Sequence, residues 1–309
     1  MLVSGASGFV GRDLIGRLLA RGFRVRAASR NPQAAPPSPG LERIALPDLA
    51  VRSDFGPLLD GITDVVHLAG IAHASRAIPE AIYMAVNAEA AATLAQASRR
   101  AGAASFVLMS SVRAQSGPAA ARVLSEGDAP APSDAYGRSK LAAERSVAEV
   151  LAGNATRGVA LRPVLVHGPG VKGNLGSLLR LARLPVPLPL GALANRRSLL
   201  GVANLASAVA HAIESEAVGG TYLVADPEPV SVAEIIAALR AGLGRPPGLV
   251  RVPLAPMRVA LAAIGMGDLW DRLAGDLVVD TGRLRATGWQ PVETTAEGLA
   301  AMARAASGS

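Results

Sequence analysis

The chain opens on three positions, Leu2–Ser4, that read as a short strand and run directly into the glycine turn "GASGFVG". Behind that turn Val10, Leu14, Leu18 and Leu19 recur at the spacing of one helical face, and the pattern stops near Gly22. "FRVRAAS" (23–29) alternates as a strand does and ends at the loop "RNPQAAPPSPG". A third strand is expected to end in "IALPDLA", and "DVVHLAG" (64–70) reads as a fourth. An Ala-rich helical stretch over 76–101, the strand "SFVLMSS" (105–111), a helix from Ser133 to Leu151 and the strand "GVALRPVLV" (158–166) follow.

Strands that are nearly continuous apolar runs, alternating with helices, predict a parallel sheet covered on both faces. The expected fold class is therefore α/β, a doubly wound sheet over residues 1–165. Past Val166 the texture changes. "HGPGVKGN" and "LPVPLPLGALANRR" are Pro/Gly-rich loops around one short helix, and residues 198–225 read as a helix and strand returning to the sheet. Residues 166–197 and 226–309 are expected to form a smaller lobe over the sheet edge.

Composition narrows the function. The chain has no cysteine, which removes disulfides and thiolate metal sites. Its four histidines, His67, His73, His167 and His211, lack metal-ligand spacing, so no metal is expected. A net charge of +7 admits an anionic partner, but aromatics are only 3% and no basic run occurs, which argues against nucleic acid. "VPLAPMRVALAAIGM" is interrupted by Pro256 and Arg258 and is too short to span a bilayer, so no stable membrane insertion is expected. The N-terminus carries no basic leader, and a cytoplasmic enzyme is the expectation. The short first strand leaves room for a natural start further upstream.

Gly5, Gly8 and Gly11 sit between a strand and a helix, where small residues let backbone N–H groups and a helix N-terminus approach a pyrophosphate. The second strand ends on Ser29 and Arg30, with Arg26 nearby and no acid. A hydroxyl beside a guanidinium suits a 2′-phosphate, which favours NADP(H), with NAD(H) as the alternative and adenine stacking as another use for Arg30. Asp48 is a candidate partner for the adenine amine, or a helix cap.

"PSDAYGRSKLAAE" (132–144) holds one of three tyrosines and one of only two lysines. Tyr136 and Lys140 share a helix face, and an ammonium beside a phenol favours the phenolate. Ser111 ends a strand at the sheet edge where ligands bind, and its hydroxyl is placed to steady a substrate oxygen while Tyr136 moves a proton. Ser110 is the alternative one residue away. The helix start is capped by Ser133 or Asp134.

"GASGFVG", "DVVHLAG", "VNAEAAATLAQAS", "SFVLMSS" and "YGRSK", in that order and spacing, resemble the extended short-chain dehydrogenase/reductases, and within them the NAD-dependent epimerase/dehydratase family. The resemblance runs to "TGWQP" (287–291) and implies a Rossmann domain with a C-terminal substrate-binding lobe. It implies Ser111, Tyr136 and Lys140 as catalytic, Gly5, Gly8, Phe9, Val10 and Gly11 on the pyrophosphate, and Asp48, Leu68, Ala69, Asn87 and Pro163 along the cofactor. The segment from "VHGPGVKGN" to "NLASAV" looks like that of bacterial UDP-sugar 4-reductases acting on a 4-keto-6-deoxy-N-acetylhexosamine in polysaccharide synthesis. By that likeness Asn174 and Arg197 contact the UDP moiety, with Lys172 as a further phosphate contact. "SSVRAQSG" departs from the "VYG" of many epimerases, and the missing acid at position 29 departs from strict NAD use.

The expected function is NAD(P)H-dependent reduction of the C4 ketone of a UDP-sugar by a homodimer. A UDP-hexose 4-epimerase with tightly bound NAD is the alternative, and a non-catalytic NADP-binding regulator the reading from another class.

Overall fold

Seven of the apolar runs form strands of one sheet: β1 (Leu2–Ser4), β2 (Val25–Ser29), β3 (Leu41–Ala45), β4 (Asp64–His67), β5 (Ser105–Met109), β6 (Arg157–Pro163) and β9 (Gly220–Val224). The computed structural model describes residues 1–34, 37–72, 78–263 and 275–307. Its strand order is β3-β2-β1-β4-β5-β6-β9, and every pairing is parallel. The order reverses between β1 and β4, and such a reversal opens a crevice at the carboxyl ends of those strands. This is the doubly wound, Rossmann-like sheet that the alternation of strands and helices predicts.

Side chains leave the sheet with period two. Val3, Val66, Val107 and Val159 point to one face and pack against α1 (Phe9–Ala20) and α6 (Val202–Glu214). Leu2, Val65, Phe106 and Leu108 point to the other, against α3 (Ala90–Arg100) and α4 (Ala135–Leu151). Helix α3 continues α2 (Glu80–Tyr83) through a π-helical segment, Met84–Glu89. The sequence reading of one helix from 76 missed that segment, and residues 76 and 77 lie outside the described residues. Asp134 is the cap of α4, its Oδ1 accepting the Gly137 N–H at 2.7 Å, which is worth about 1 kcal/mol. Gly137 is required there, because a Cβ would lie 2.3 Å from the Arg113 carbonyl oxygen.

The run 158–166 is not one strand. Pro163 has no N–H to extend the ladder, and the chain leaves the sheet there. Residues Leu165–His167 form β7, which pairs in parallel with β8 (Leu199–Gly201) as a separate two-stranded sheet. A third apolar cluster joins Leu175 and Leu179 of α5 (Gly173–Ala182), Ile235, Ile236 and Leu239 of α7 (Val232–Gly242), and Leu299 and Met302 of the last helix. After α8 (Leu254–Ala263) and α9 (Gly282–Arg285), that last helix is α10 (Thr295–Ala305). Capping boxes start α7 (Ser231 and Glu234) and α10 (Thr294 and Glu297). The two helices cross closely, since a Cβ at Gly242 would meet the Ala300 carbonyl oxygen at 2.4 Å.

Residues 275–280 lie between two other segments. Leu124 donates to Val278 O at 2.9 Å, and Ser198 donates to Leu277 O at 2.8 Å. Among the described residues no helix is long and apolar enough to cross a membrane, and no three His, Asp or Glu are grouped to hold a metal.

Trp289 of "TGWQP" is 1% exposed in the α6-side core, with its indole N–H on Ser207 Oγ at 3.2 Å. Trp289→Ala is expected to cost about 3–5 kcal/mol of stability, read as a lower urea midpoint with a similar slope.

Candidate active site

The glycine turn between β1 and α1 is shaped by close approach. Gly5 has φ +75°, and a Cβ there would stand 2.7 Å from the Ala69 nitrogen. At Gly11 a Cβ would stand 2.4 Å from the Gly5 carbonyl oxygen. Gly8 caps α1 without a side chain, and the first turn of that helix, begun by the half-buried Phe9 and Val10, carries no acid. A bare, electropositive helix start beside a tight turn fits the pyrophosphate of a dinucleotide.

The carboxyl end of β5 meets the first turns of α4 next to this cradle. Ser111 is 8% exposed and extended, and its Oγ accepts the Arg113 N–H at 3.1 Å. Its hydroxyl also hydrogen-bonds the Tyr136 phenol. Ser110 is not interchangeable with it, because the Ser110 hydroxyl is turned inward onto the Glu144 carboxylate. Lys140 is 6% exposed and donates from Nζ to the Met109 carbonyl at 2.9 Å. The structure thus brings Ser111, Tyr136 and Lys140 to one place on the sheet edge.

Their electrostatics differ from the sequence expectation in one respect. Burial raises the Tyr136 phenol above its ordinary value; the Ser111 hydrogen bond and the Arg113 charge pull it down, and Asp134 and Tyr83 add to the rise. Arg113, paired with Asp134 at 2.6 Å, is a cation that acts on the phenol, and the Lys140 ammonium points to Met109 O. Lys140 itself is pushed down to about 8 by burial, against the attraction of Glu144. His67, at the end of β4, is pushed down to about 3 by burial and the nearby Lys140, so it is neutral, with Nδ1 on Ser4 Oγ at 2.7 Å.

The other expected cofactor residues divide. Leu68 and Ala69 follow β4 against Gly5, and Pro163 is buried at the end of β6. Ser29 is buried and donates to Asn31 O at 2.9 Å, while Arg30 is exposed and makes no hydrogen bond or ion pair among the described residues. Arg26 is committed elsewhere, to Glu42 and the carbonyls of Leu58 and Asp60. Asp48 is exposed and caps a turn, accepting the Ala50 N–H at 2.9 Å; no helix follows it. Asn87 is fully engaged: it exchanges hydrogen bonds with Ile71 at 2.8 and 3.1 Å and donates to Ser139 at 3.0 Å. Its amide pins the loop after β4 to α4.

The expected substrate residues lie between β7 and β8. Lys172 and Asn174 are exposed at the start of α5. Arg197 is half-buried, and its guanidinium donates to Gly275 O and Pro118 O, each at 3.0 Å. It ties the segment after β5 to residues 275–280, where the guanidinium loses basicity through burial.

Sequence reasoning missed Arg113, Glu144 and Arg162. Glu144 follows Lys140 by one helical turn, which was a readable signal; Arg162 inside an apolar strand was another.

A family model described as "NAD dependent epimerase/dehydratase family" matches residues 1–225. A UDP-glucose 4-epimerase from Vibrio cholerae is 33% identical over 99% of this chain and 94% of its own length. A 3-diazoavenalumate denitrifying reductase from a Streptomyces species is 34% identical over 80% of this chain and 82% of its own. The solved structure of MoeE5 in complex with UDP-glucose and NAD is 25% identical, with a TM-score of 0.74 over 99% of this chain and 98% of that one.

Gly11→Ala tests the cradle. The added methyl has no room beside Gly5 O, so binding of NADPH or NADH, followed by quenching of protein fluorescence, is expected to weaken about tenfold or more.

Proposed function

The chain belongs to the NAD-dependent epimerase/dehydratase family, and from that membership we propose that it reduces the C4 ketone of a UDP-sugar, with NADPH preferred over NADH. The observation that carries this reading is the Tyr136 phenol, hydrogen-bonded to Ser111 and kept protonated by its half-buried setting. A protonated phenol is a proton donor, and reduction of a ketone needs one. Taking an alcohol to a ketone would instead need the phenolate.

Bound at the glycine turn, the nicotinamide cofactor supplies the hydride. The protein supplies the rest. As charge develops on the ketone oxygen, Tyr136 delivers its phenolic proton there, and the product is the C4 alcohol. Ser111, held by the Arg113 N–H, turns its hydroxyl proton from the Tyr136 phenol to the same oxygen when substrate is bound. Lys140 adds a buried positive charge beneath the site. Lys172, Asn174 and Arg197 are proposed to receive the UDP end from the lobe. Arg30, exposed and with no hydrogen bond or ion pair among the described residues, supports NADPH by offering its guanidinium to a 2′-phosphate.

The Vibrio cholerae relative supports a second reading, a UDP-hexose 4-epimerase, in which the cofactor stays bound and returns to its starting state. Purified protein given NADPH and UDP-4-keto-6-deoxy-N-acetylglucosamine is expected to consume NADPH in step with product. Interconversion of UDP-glucose or UDP-N-acetylglucosamine with its C4 epimer, without net cofactor use, would replace the reductase by the epimerase. Arg30→Ala is expected to raise the KM for NADPH about tenfold and leave that for NADH nearly unchanged.

Tyr136→Phe is expected to lower kcat about 10²–10⁴-fold with an unchanged melting temperature. Turnover should also fall as pH rises through about 8, where Lys140 loses its proton. The phenol, raised above its ordinary value, stays protonated through that range. An alkaline limb absent below pH 10 would contradict this assignment.

A further inference from the structure

One buried ion pair lies directly under the catalytic turn and takes no part in the chemistry above. Glu144 of α4 and Arg162 of β6 are each 6% exposed at the side chain and pair through two bonds, Nη2 to Oε2 at 2.5 Å and Nε to Oε1 at 2.9 Å. Glu144 also accepts the Ser110 hydroxyl, and Arg162 donates its remaining Nη1 to Gln115. Gln115 in turn donates to Ser125 O at 3.0 Å and Asp128 O at 2.8 Å, fixing the loop that follows the catalytic serine.

The end of β5 is therefore held from three sides. Lys140 holds the Met109 carbonyl, Glu144 holds the Ser110 hydroxyl, and Leu161 of β6 accepts the Ser110 N–H at 2.8 Å. Ser111 is the next residue along the chain. We propose that Glu144 is a positioning residue: with Arg162 it fixes the Ser110–Ser111 turn against Tyr136, and one helical turn along from Lys140 it sets a carboxylate on the same helix face as that buried ammonium. The kinetic part of this inference rests on the oxidoreductase reading; the structural part does not.

Among the described residues the ionisable groups around Lys140 are few. Its own helix contributes Tyr136 and Glu144, β4 contributes the neutral His67, and α2 contributes Tyr83. The turn after β5 brings Arg113, already paired with Asp134, and β6 brings Arg162, already paired with Glu144. Helix α3 packs against α4 with Arg99 at the far end, on Val150 O. Among the described residues Glu144 is thus the carboxylate placed to favour the charged lysine, and a buried cation without one is costly.

The chain has two lysines, so protein labelled with carbon-13 at the lysine Cε gives two side-chain resonances, and Lys172→Arg assigns them. Titrating Lys140 in Glu144→Gln is expected to show its midpoint lowered by about one pH unit relative to the wild type. Glu144→Met with Arg162→Met removes the pair without leaving a lone buried charge, and should show a smaller downward move in a folded protein, because a repelling cation leaves with the carboxylate. In turnover, Glu144→Gln is expected to lower kcat about tenfold or more, to leave the sugar KM within about twofold, and to move the alkaline limb to lower pH. A Lys140 midpoint unmoved in both variants would overturn the proposal. So would a Glu144→Gln protein with normal kcat and only a lower melting temperature. If the wild type turns over no UDP-sugar, the functional reading fails while the titration still decides the role of Glu144.

Discussion

The geometry of the site depends on how tightly helix α4 is seated against the carboxyl end of β5. A glycine at 137 lets the first turn of the helix approach the Arg113 carbonyl to a distance no side chain would permit. The Asp134 cap and its ion pair with Arg113 fix the same turn from outside, and the Glu144–Arg162 pair fixes the third turn from beneath. Tyr136 and Lys140 lie between these anchors. Their direction is a consequence of backbone contact and buried charge, and the loops around them follow from it.

The cofactor side obeys a similar constraint. At Gly5 and Gly11 the turn after β1 closes on itself and on Ala69 with no space for a Cβ, and the crevice opens where the strand order reverses. Residues 275–280 are tied to this edge through backbone pairing with 120–124 and 196–198, and Arg197 spans the same junction from Gly275 O to Pro118 O.

Much of this was legible in the chain because period and turn chemistry act locally. The parallel strands were visible as apolar runs, and the Tyr–Lys spacing placed both residues on one helix face. What was not legible depends on contacts distant in sequence. Pro163 could be read as a strand residue, but the departure of β7 to pair with β8 depends on a partner 34 residues away. Asn87 was read as a cofactor contact, and its bonds to Ile71 and Ser139, which join the loop after β4 to α4, were not visible in the chain. The direction of Lys140 toward Met109, and the Arg113 charge that acts on the phenol, required the folded position of the turn after β5. The burial of Arg162 was signalled by its apolar neighbours, but its partner was not.

The central claim is that Tyr136 acts as a proton donor in a net reduction at C4. The most direct measurement is the fate of deuterium carried on the transferring position of NADPH, followed into the sugar by mass spectrometry and NMR. The account predicts one deuterium at C4 of the product for each cofactor oxidised, and loss of that transfer in Tyr136→Phe. Deuterium scrambling between C4 epimers with no net cofactor oxidation, or undiminished transfer in Tyr136→Phe, would contradict it.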